Sequence, residues 1–191
     1  RDQRERLSHL LDPFRPLEDP DAPATRAWID AENALTRAFL DAFPERPAIR
    51  ERLTKLWNYE RFTTPVREGG RLFYSRNDGL QNQSVIYTLD RLDGTPRKLI
   101  DPNTLSTDGT IALTAYSVSE DGRLMAYGLS SGGSDWEEWR LRDVETGRDL
   151  PDRLQWVKFS TTAWTHDNQG FFYSRYDEPR AGEPTEQANY Y

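Results

Sequence analysis

Ser119-Glu120-Asp121-Gly122-Arg123-Leu124-Met125-Ala126-Tyr127 is an acidic turn feeding an aromatic-ended strand. It returns 46 residues later as Thr165-His166-Asp167-Asn168-Gln169-Gly170-Phe171-Phe172-Tyr173. A fainter copy, Glu68-Gly69-Gly70-Arg71-Leu72-Phe73-Tyr74, ends 53 residues before Tyr127. Turn-strand units spaced about 40 to 50 residues apart are the sequence signature of β-propeller blades. So few copies cannot close a propeller, and the sequence therefore reads as a piece of something larger.

Outward from the repeat, the period of the apolar residues is two. Leu72–Ser75, Val85–Leu89, Leu124–Leu129 and Phe171–Tyr173 are short β-branched or aromatic runs bounded by turn residues, as strands require. Asp78-Gly79, Asp93-Gly94, Asp108-Gly109, Asp121-Gly122 and Thr146-Gly147 supply the turns. Gly94 and Gly147 are a second echo, 53 residues apart, so the repeating unit is a multi-strand blade. The strands from 59 to 191 amount to roughly two to three blades. The stretch 177–189, with Pro179, Gly182 and Pro184, reads as a polar loop.

Before residue 59 the period is helical. Asp21 and Pro23 mark a helix start, and Trp28, Ala31, Leu35, Ala38, Phe39 and Ala42 form one apolar face that ends at Pro44. A second helix opens near Pro47 and is expected to bury Ile49, Leu53, Leu56 and Trp57. Asp12-Pro13-Phe14 and Pro16–Pro20 read as an extended, proline-stiffened arm. A helical segment, 1–58, followed by strands, 59–191, suggests two domains with a boundary near Asn58.

The composition, 36% hydrophobic and 12% aromatic, is sufficient for a packed core. A net charge of −7 with no basic patch argues against a nucleic-acid partner. There is no cysteine, which excludes disulfides, a thiol nucleophile and a cysteine zinc site. The apolar runs fall far short of the roughly 20 residues that span a bilayer. A cytoplasmic protein with no membrane association is expected.

Self-contained chemistry is hard to find. Gly132-Gly133-Ser134-Asp135-Trp136 comes nearest to a Gly-x-Ser-x-Gly elbow and fails at its last glycine. Of the two histidines, His166 lies in a repeat turn and His9 in the charged N-terminal stretch. Asp101, Asn103, Ser106 and Asp108 do not have EF-hand spacing, and such residues build ordinary turns. Glu18/Asp19 and Glu137/Glu138 are adjacent pairs, which diverge on a strand, and read as surface charges. Trp136, Trp139, Trp156 and Trp164 read as packing aromatics. No metal and no cofactor are expected.

Five linked segments go beyond pattern. They are Asp12–Asp21, Asn77–Tyr87, Asp101–Thr110, Ser119–Trp136, and Val157-Lys158-Phe159-Ser160 leading into Ala163–Asp167. Together these resemble the prolyl oligopeptidases. The Gly79-Leu80-Gln81-Asn82-Gln83 run is closer to that group than to the related oligopeptidase B. Pro16 departs from the family, which usually has tryptophan there, and residues 1–11 do not resemble its lead-in.

The resemblance implies an N-terminal helical segment that packs on an α/β-hydrolase domain, followed by the first blades of a seven-bladed propeller. It implies a serine peptidase that cleaves short peptides after proline with a Ser-Asp-His triad. The triad is expected outside these 191 residues, so no catalytic residue is assigned. The implied partners are short proline-containing peptides and the C-terminal part of the same enzyme, with the propeller limiting access. Phe159 matches a propeller phenylalanine that lines a subsite N-terminal to the proline pocket; Asp135 and Trp136 are expected near the same cavity. From the residues alone, a strand phenylalanine is also a core candidate. The competing readings are a non-catalytic propeller module that binds a peptide or protein, and an oligopeptidase B-like enzyme that cuts after basic residues.

Overall fold

The computed structural model describes residue 12, residues 14–19 and residues 21–178. His9, Pro13, Pro20 and the loop beyond residue 178 lie outside the described residues. The chain divides into two compact units, Arg1–Leu56 and Trp57–Tyr191.

In the first unit, α1 (Pro23–Asp41) and α2 (Arg46–Trp57) follow the three- and four-residue apolar spacing. Pro23 occupies the first turn, where its missing N–H is no loss. Asp21 does not cap the helix; its carboxylate pairs with Arg26 at 2.6 Å. The helix stops at Asp41, short of Pro44, with the Ala42 N–H bonded to Phe39 O at 3.3 Å. Arg46 pairs with Asp41 across the connection.

Two expectations are corrected here. The N-terminal arm is not extended: Arg15–Leu17 forms a 3-10 turn, closed by Leu17 N–H to Phe14 O at 2.8 Å and Glu18 N–H to Arg15 O at 3.1 Å. Proline fixes φ at a value that a 3-10 turn and an extended chain both accept, so Pro16 could not discriminate between them. The helical apolar faces are also not buried. Leu35 is 68% exposed and Leu53 58%, and Phe39, Ile49, Leu56 and Trp57 are exposed as well. Periodicity defines an apolar face, but burying it takes a facing layer, which the helical unit does not itself supply.

The second unit is built of antiparallel strands. The first sheet contains β1 (Arg61–Phe62), β2 (Val66–Glu68), β3 (Arg71–Asn77), β4 (Val85–Leu89) and β5 (Arg97–Ile100), with β1 and β2 both pairing with β3. The second is a meander of β6 (Ile111–Val118), β7 (Leu124–Ser131), β8 (Glu137–Asp143) and β9 (Asp149–Val157). A hairpin of β10 (Ala163–Trp164) and β11 (Phe171–Phe172) follows.

The alternation of β7 explains the layering. Met125, Tyr127 and Leu129 form one buried cluster with Phe73, Ile86, Leu99 and Ile100 of the first sheet. Ala126, on the other face, joins Trp139 and Val157, against which Trp164, Phe171 and Tyr173 pack. β7 is thus covered on both faces, and each large apolar side chain so buried contributes roughly 1.5–3 kcal/mol. Polar side chains tie the two sheets together through backbone groups. Gln83 Nε2 donates to Ile111 O at 2.6 Å, and its Oε1 accepts from Leu113 N–H at 2.9 Å. Arg142 reaches Leu99 O, and Arg97 reaches Val144 O.

The repeated turn keeps its hydrogen bonds as well as its sequence. Ser119 Oγ donates to Asp121 Oδ1 at 2.6 Å, and Thr165 Oγ1 to Asp167 Oδ1 at 2.6 Å. Asp121 accepts from Arg123 N–H and Asp167 from Gln169 N–H, both at 3.1 Å. Gly122 and Asn168 occupy the same left-handed position, at φ 71° and 57°.

The three turn copies also stack. A Cβ on Gly69 would lie 1.9 Å from Asp121 O, and one on Gly122 would lie 2.7 Å from Glu68 O. On the other side, Asp121 N–H donates to Asn168 Oδ1 at 3.1 Å, and His166 Nδ1 lies 2.9 Å from Glu120. The turns therefore form a continuous seam along one end of the sheets, backbone against backbone between the first two copies and through side chains between the second and third.

Candidate functional site

The opposite end of the second sheet is built differently. Strand β9 pairs with β8 as Leu154 to Trp139 and Val157 to Glu137, so three steps on β9 span two on β8. This one-residue surplus is a β-bulge, a device that bends a strand and re-aims its side chains. Trp156 within it has φ 61°, and Phe159 just beyond has φ 49°. Left-handed backbone at two aromatic residues is uncommon and strained.

The bulge region determines where Phe159 points. In a regular strand Val157 and Phe159 would share a face. Here Val157 is fully buried whereas Phe159 is 77% exposed. Phe159 is thus not part of the core of this chain. Ser160 anchors the far side: its Oγ accepts from Ser174 N–H at 3.0 Å and donates to Thr161 O at 2.9 Å. Tyr176 N–H donates to Trp156 O at 2.8 Å.

Asp135 and Trp136 come to the same place from the β7–β8 turn. The Trp136 ring packs edge-on against Trp156 at 5.7 Å and Tyr176 at 5.8 Å. Lys158 lies between the two segments, its Nζ 4.7 Å from the centre of the Trp136 ring, 3.8 Å from Asp135 Oδ2 and 6.0 Å from the centre of the Phe159 ring. In the sequence Lys158 is legible only as part of the Val157–Ser160 motif. The available signal was a long cationic stem set between two strand aromatics. A groove of about 230 Å³ adjoins this cluster, lined in part by Leu129, Trp136, Gln155 and Trp156. A larger groove, about 460 Å³, lies between the sheets beside Ser75, Gln83, Ile86, Leu113 and Tyr116, where nothing offers acid–base chemistry at neutral pH.

The other candidates are accounted for structurally. Glu137 and Glu138 are half-buried and partnered, a correction to their reading as surface charges. Glu137 accepts from Trp139 Nε1 at 2.7 Å. Burial pushes the Glu138 carboxyl up, but Arg140 at 2.6 Å and Arg153 at 2.9 Å outweigh it and hold it below its ordinary value. The pair thus serves different partners and does not converge as an acid/base dyad.

Asp101 receives the Asn103 N–H at 3.2 Å and Lys98 at 2.8 Å, as a turn-building carboxylate. Among the described residues, no group of three or more His, Asp or Glu is placed to hold a metal. His166, the only histidine described, has a side chain 96% exposed, and no serine–histidine–aspartate constellation forms around it. No helix among the described residues is long and apolar enough to cross a membrane.

Comparison with known proteins gives this arrangement a context. Residues 4–191 match the family model described as "Prolyl oligopeptidase, N-terminal beta-propeller domain". A prolyl endopeptidase of Elizabethkingia meningoseptica is 42% identical over 175 residues, which cover 92% of this chain and 24% of the relative. One from Dictyostelium discoideum is 33% identical, over 89% of this chain and 28% of the relative. The chain thus spans about a quarter of the length of these curated relatives. Among solved structures, one from a study of two prolyl endopeptidases superimposes with a TM-score of 0.83 at 33% identity, covering 89% of this chain and 25% of the other. Prolyl oligopeptidase B of Galerina marginata, bound to a 25mer macrocyclization substrate, gives 0.78 at 29% identity, covering 91% of this chain and 27% of the other.

Proposed function

This chain belongs to the prolyl oligopeptidase family through its N-terminal β-propeller domain, and we propose that it is the access-limiting portion of a serine endopeptidase acting on short peptides. Cleavage is on the carboxyl side of proline. The observation that carries this reading is 42% identity to a prolyl endopeptidase over 92% of the chain. The first and second sheets are the opening blades of the propeller, and the hairpin β10–β11 begins the next. The helical segment packs on an α/β-hydrolase domain, which gives the exposed faces of α1 and α2 their cover. That domain carries the triad, in which serine attacks the carbonyl, histidine moves its proton and aspartate orients the histidine. The enzyme is read as cytoplasmic.

Within this frame Phe159 is an apolar wall against the peptide, N-terminal to the proline pocket. Its exposure and the backbone that turns it outward support that role. The test is a full-length enzyme carrying residues 12–178 of this chain, assayed on matched peptides with proline or arginine before the scissile bond. Cleavage after proline is expected. Cleavage only after arginine would favour the oligopeptidase B-like alternative. Residues 1–191 expressed alone should neither cleave a prolyl substrate nor fold stably, and prolyl activity from them would overturn the assignment of the chemistry elsewhere.

A further inference from the structure

We infer that Lys158 is a positioning residue for substrate recognition, holding the Phe159 wall and the Asp135–Trp136 turn in one fixed arrangement. The inference rests on the reading of Phe159 as a substrate wall and adds a group that does not itself touch the peptide.

The observations are geometric. The Lys158 side chain is only 9% exposed. Covering a cation so completely is costly unless partners replace the lost water. Two partners belong to the β7–β8 turn: the face of Trp136 at 4.7 Å and the Asp135 carboxylate at 3.8 Å. The third is the neighbouring Phe159 ring at 6.0 Å. The cation thus spans the β7–β8 turn and the segment that follows β9, since β8 begins at Glu137 and β9 ends at Val157.

The strain in the same place gives this bridge a purpose. Trp156 and Phe159, both left-handed, flank Lys158. Unsupported, the chain would relax toward regular strand geometry and return Phe159 to the face of Val157. The attraction between Lys158 and the Trp136 turn opposes that relaxation. Trp136 is itself braced by Trp156 and Tyr176, so the bridge ends on a rigid aromatic cluster. Arginine can replace the charge, whereas methionine keeps the apolar stem and removes the attraction.

The experiment uses the full-length enzyme carrying this segment and two substrates. One peptide extends N-terminally past the proline pocket; the other is a minimal prolyl amide that stops there. Lys158→Met is expected to raise KM for the extended peptide roughly tenfold, the scale of a desolvated cation–π contact, with kcat little changed. The minimal amide should stay within about twofold, and Lys158→Arg should retain most of the affinity. Trp136→Phe, which keeps a ring but weakens its hold on the cation, should give a smaller rise of the same pattern, and it decides the matter if Lys158→Met does not fold. Because Lys158 acts through Phe159, the double variant with Phe159→Ala should be no worse than Phe159→Ala alone.

The inference fails, with the wall intact, if Phe159→Ala raises KM for the extended peptide and neither Lys158→Met nor Trp136→Phe does. Equal rises for both substrates, or additive effects in the double variant, overturn it too. An unchanged KM in Phe159→Ala removes the wall, and the inference with it.

Discussion

At one end of β7 the chain turns through Ser119–Arg123, and the hydroxyl–carboxylate and amide–carboxylate bonds of that turn recur 46 residues later. At the other end, β9 leaves the sheet through a bulge with two left-handed aromatic residues that have no counterpart in the repeat. The first end is held by close backbone contact and by polar side chains that link one turn to the next. The second is held by rings and one cation around a strained segment. Scaffolding can repeat because it only has to fit its neighbour, whereas the end proposed to face substrate departs from the repeat.

The sharpest way to break this contrast is Gly69→Ala. The new methyl would overlap the Asp121 carbonyl, and φ 53° disfavours any side chain there. We expect a loss of about 3 kcal/mol, read as a fall in the urea midpoint of the full-length enzyme. Asn168→Ala tests the next turn in the stack. It places alanine at φ 57° and removes the acceptor of Asp121 N–H, with an expected cost of about 1–2 kcal/mol.

Asp167→Asn is a smaller perturbation with a distinct pH signature. Hydrogen bonds from the Thr165 hydroxyl first, and then the Gln169 N–H, hold the Asp167 carboxyl below its ordinary 3.8. A value depressed on folding stabilises the fold above the unfolded value, and that contribution is lost as pH falls through the folded one. The variant should therefore be less stable than its parent at pH 7, with the gap closing below about pH 3.8. A constant gap would mean that the carboxylate charge has no part in the turn. The smallest effect is expected at the other end: Phe159→Ala should change thermal stability by no more than about 0.5 kcal/mol, as an exposed side chain does. A larger loss would return Phe159 to the core.

These two ends also differ in how far the sequence reveals them. Ser119, Asp121 and Gly122 each state their role in the turn, because a local hydrogen bond or a positive φ asks for a recognisable residue type. Strand β7 is equally legible, since both its faces are apolar. Strands β8 and β9 are not. Glu138, Arg140, Arg142 and Arg153 interrupt their alternation and become strand residues only once they pair with one another, with Asp149 or with a carbonyl of the first sheet. The motif identified Phe159, but nothing in the spacing announced the bulge that exposes it. A one-residue surplus is a relation between two strands, visible only when both are in register. The apolar spacing of both helices is legible, whereas the burial expected of Ile49, Leu53, Leu56 and Trp57 is not met within this unit, for a similar reason: the covering surface is not written in the helices.

The interlocked turns set where this chain can change length. A residue inserted at Glu68–Gly69 or at Asp121–Gly122 would have to push a neighbouring backbone aside, because each already lies within 3 Å of where the other's Cβ would stand. Gly132 and Gly133, at the opposite end, would meet nothing within 4 Å. Insertions and deletions should therefore be absorbed beside Asp135 and Trp136, where the peptide is proposed to approach, and rejected along the seam. On that proposal, substrate preference would drift through loop length while the spacing of the blades stays locked.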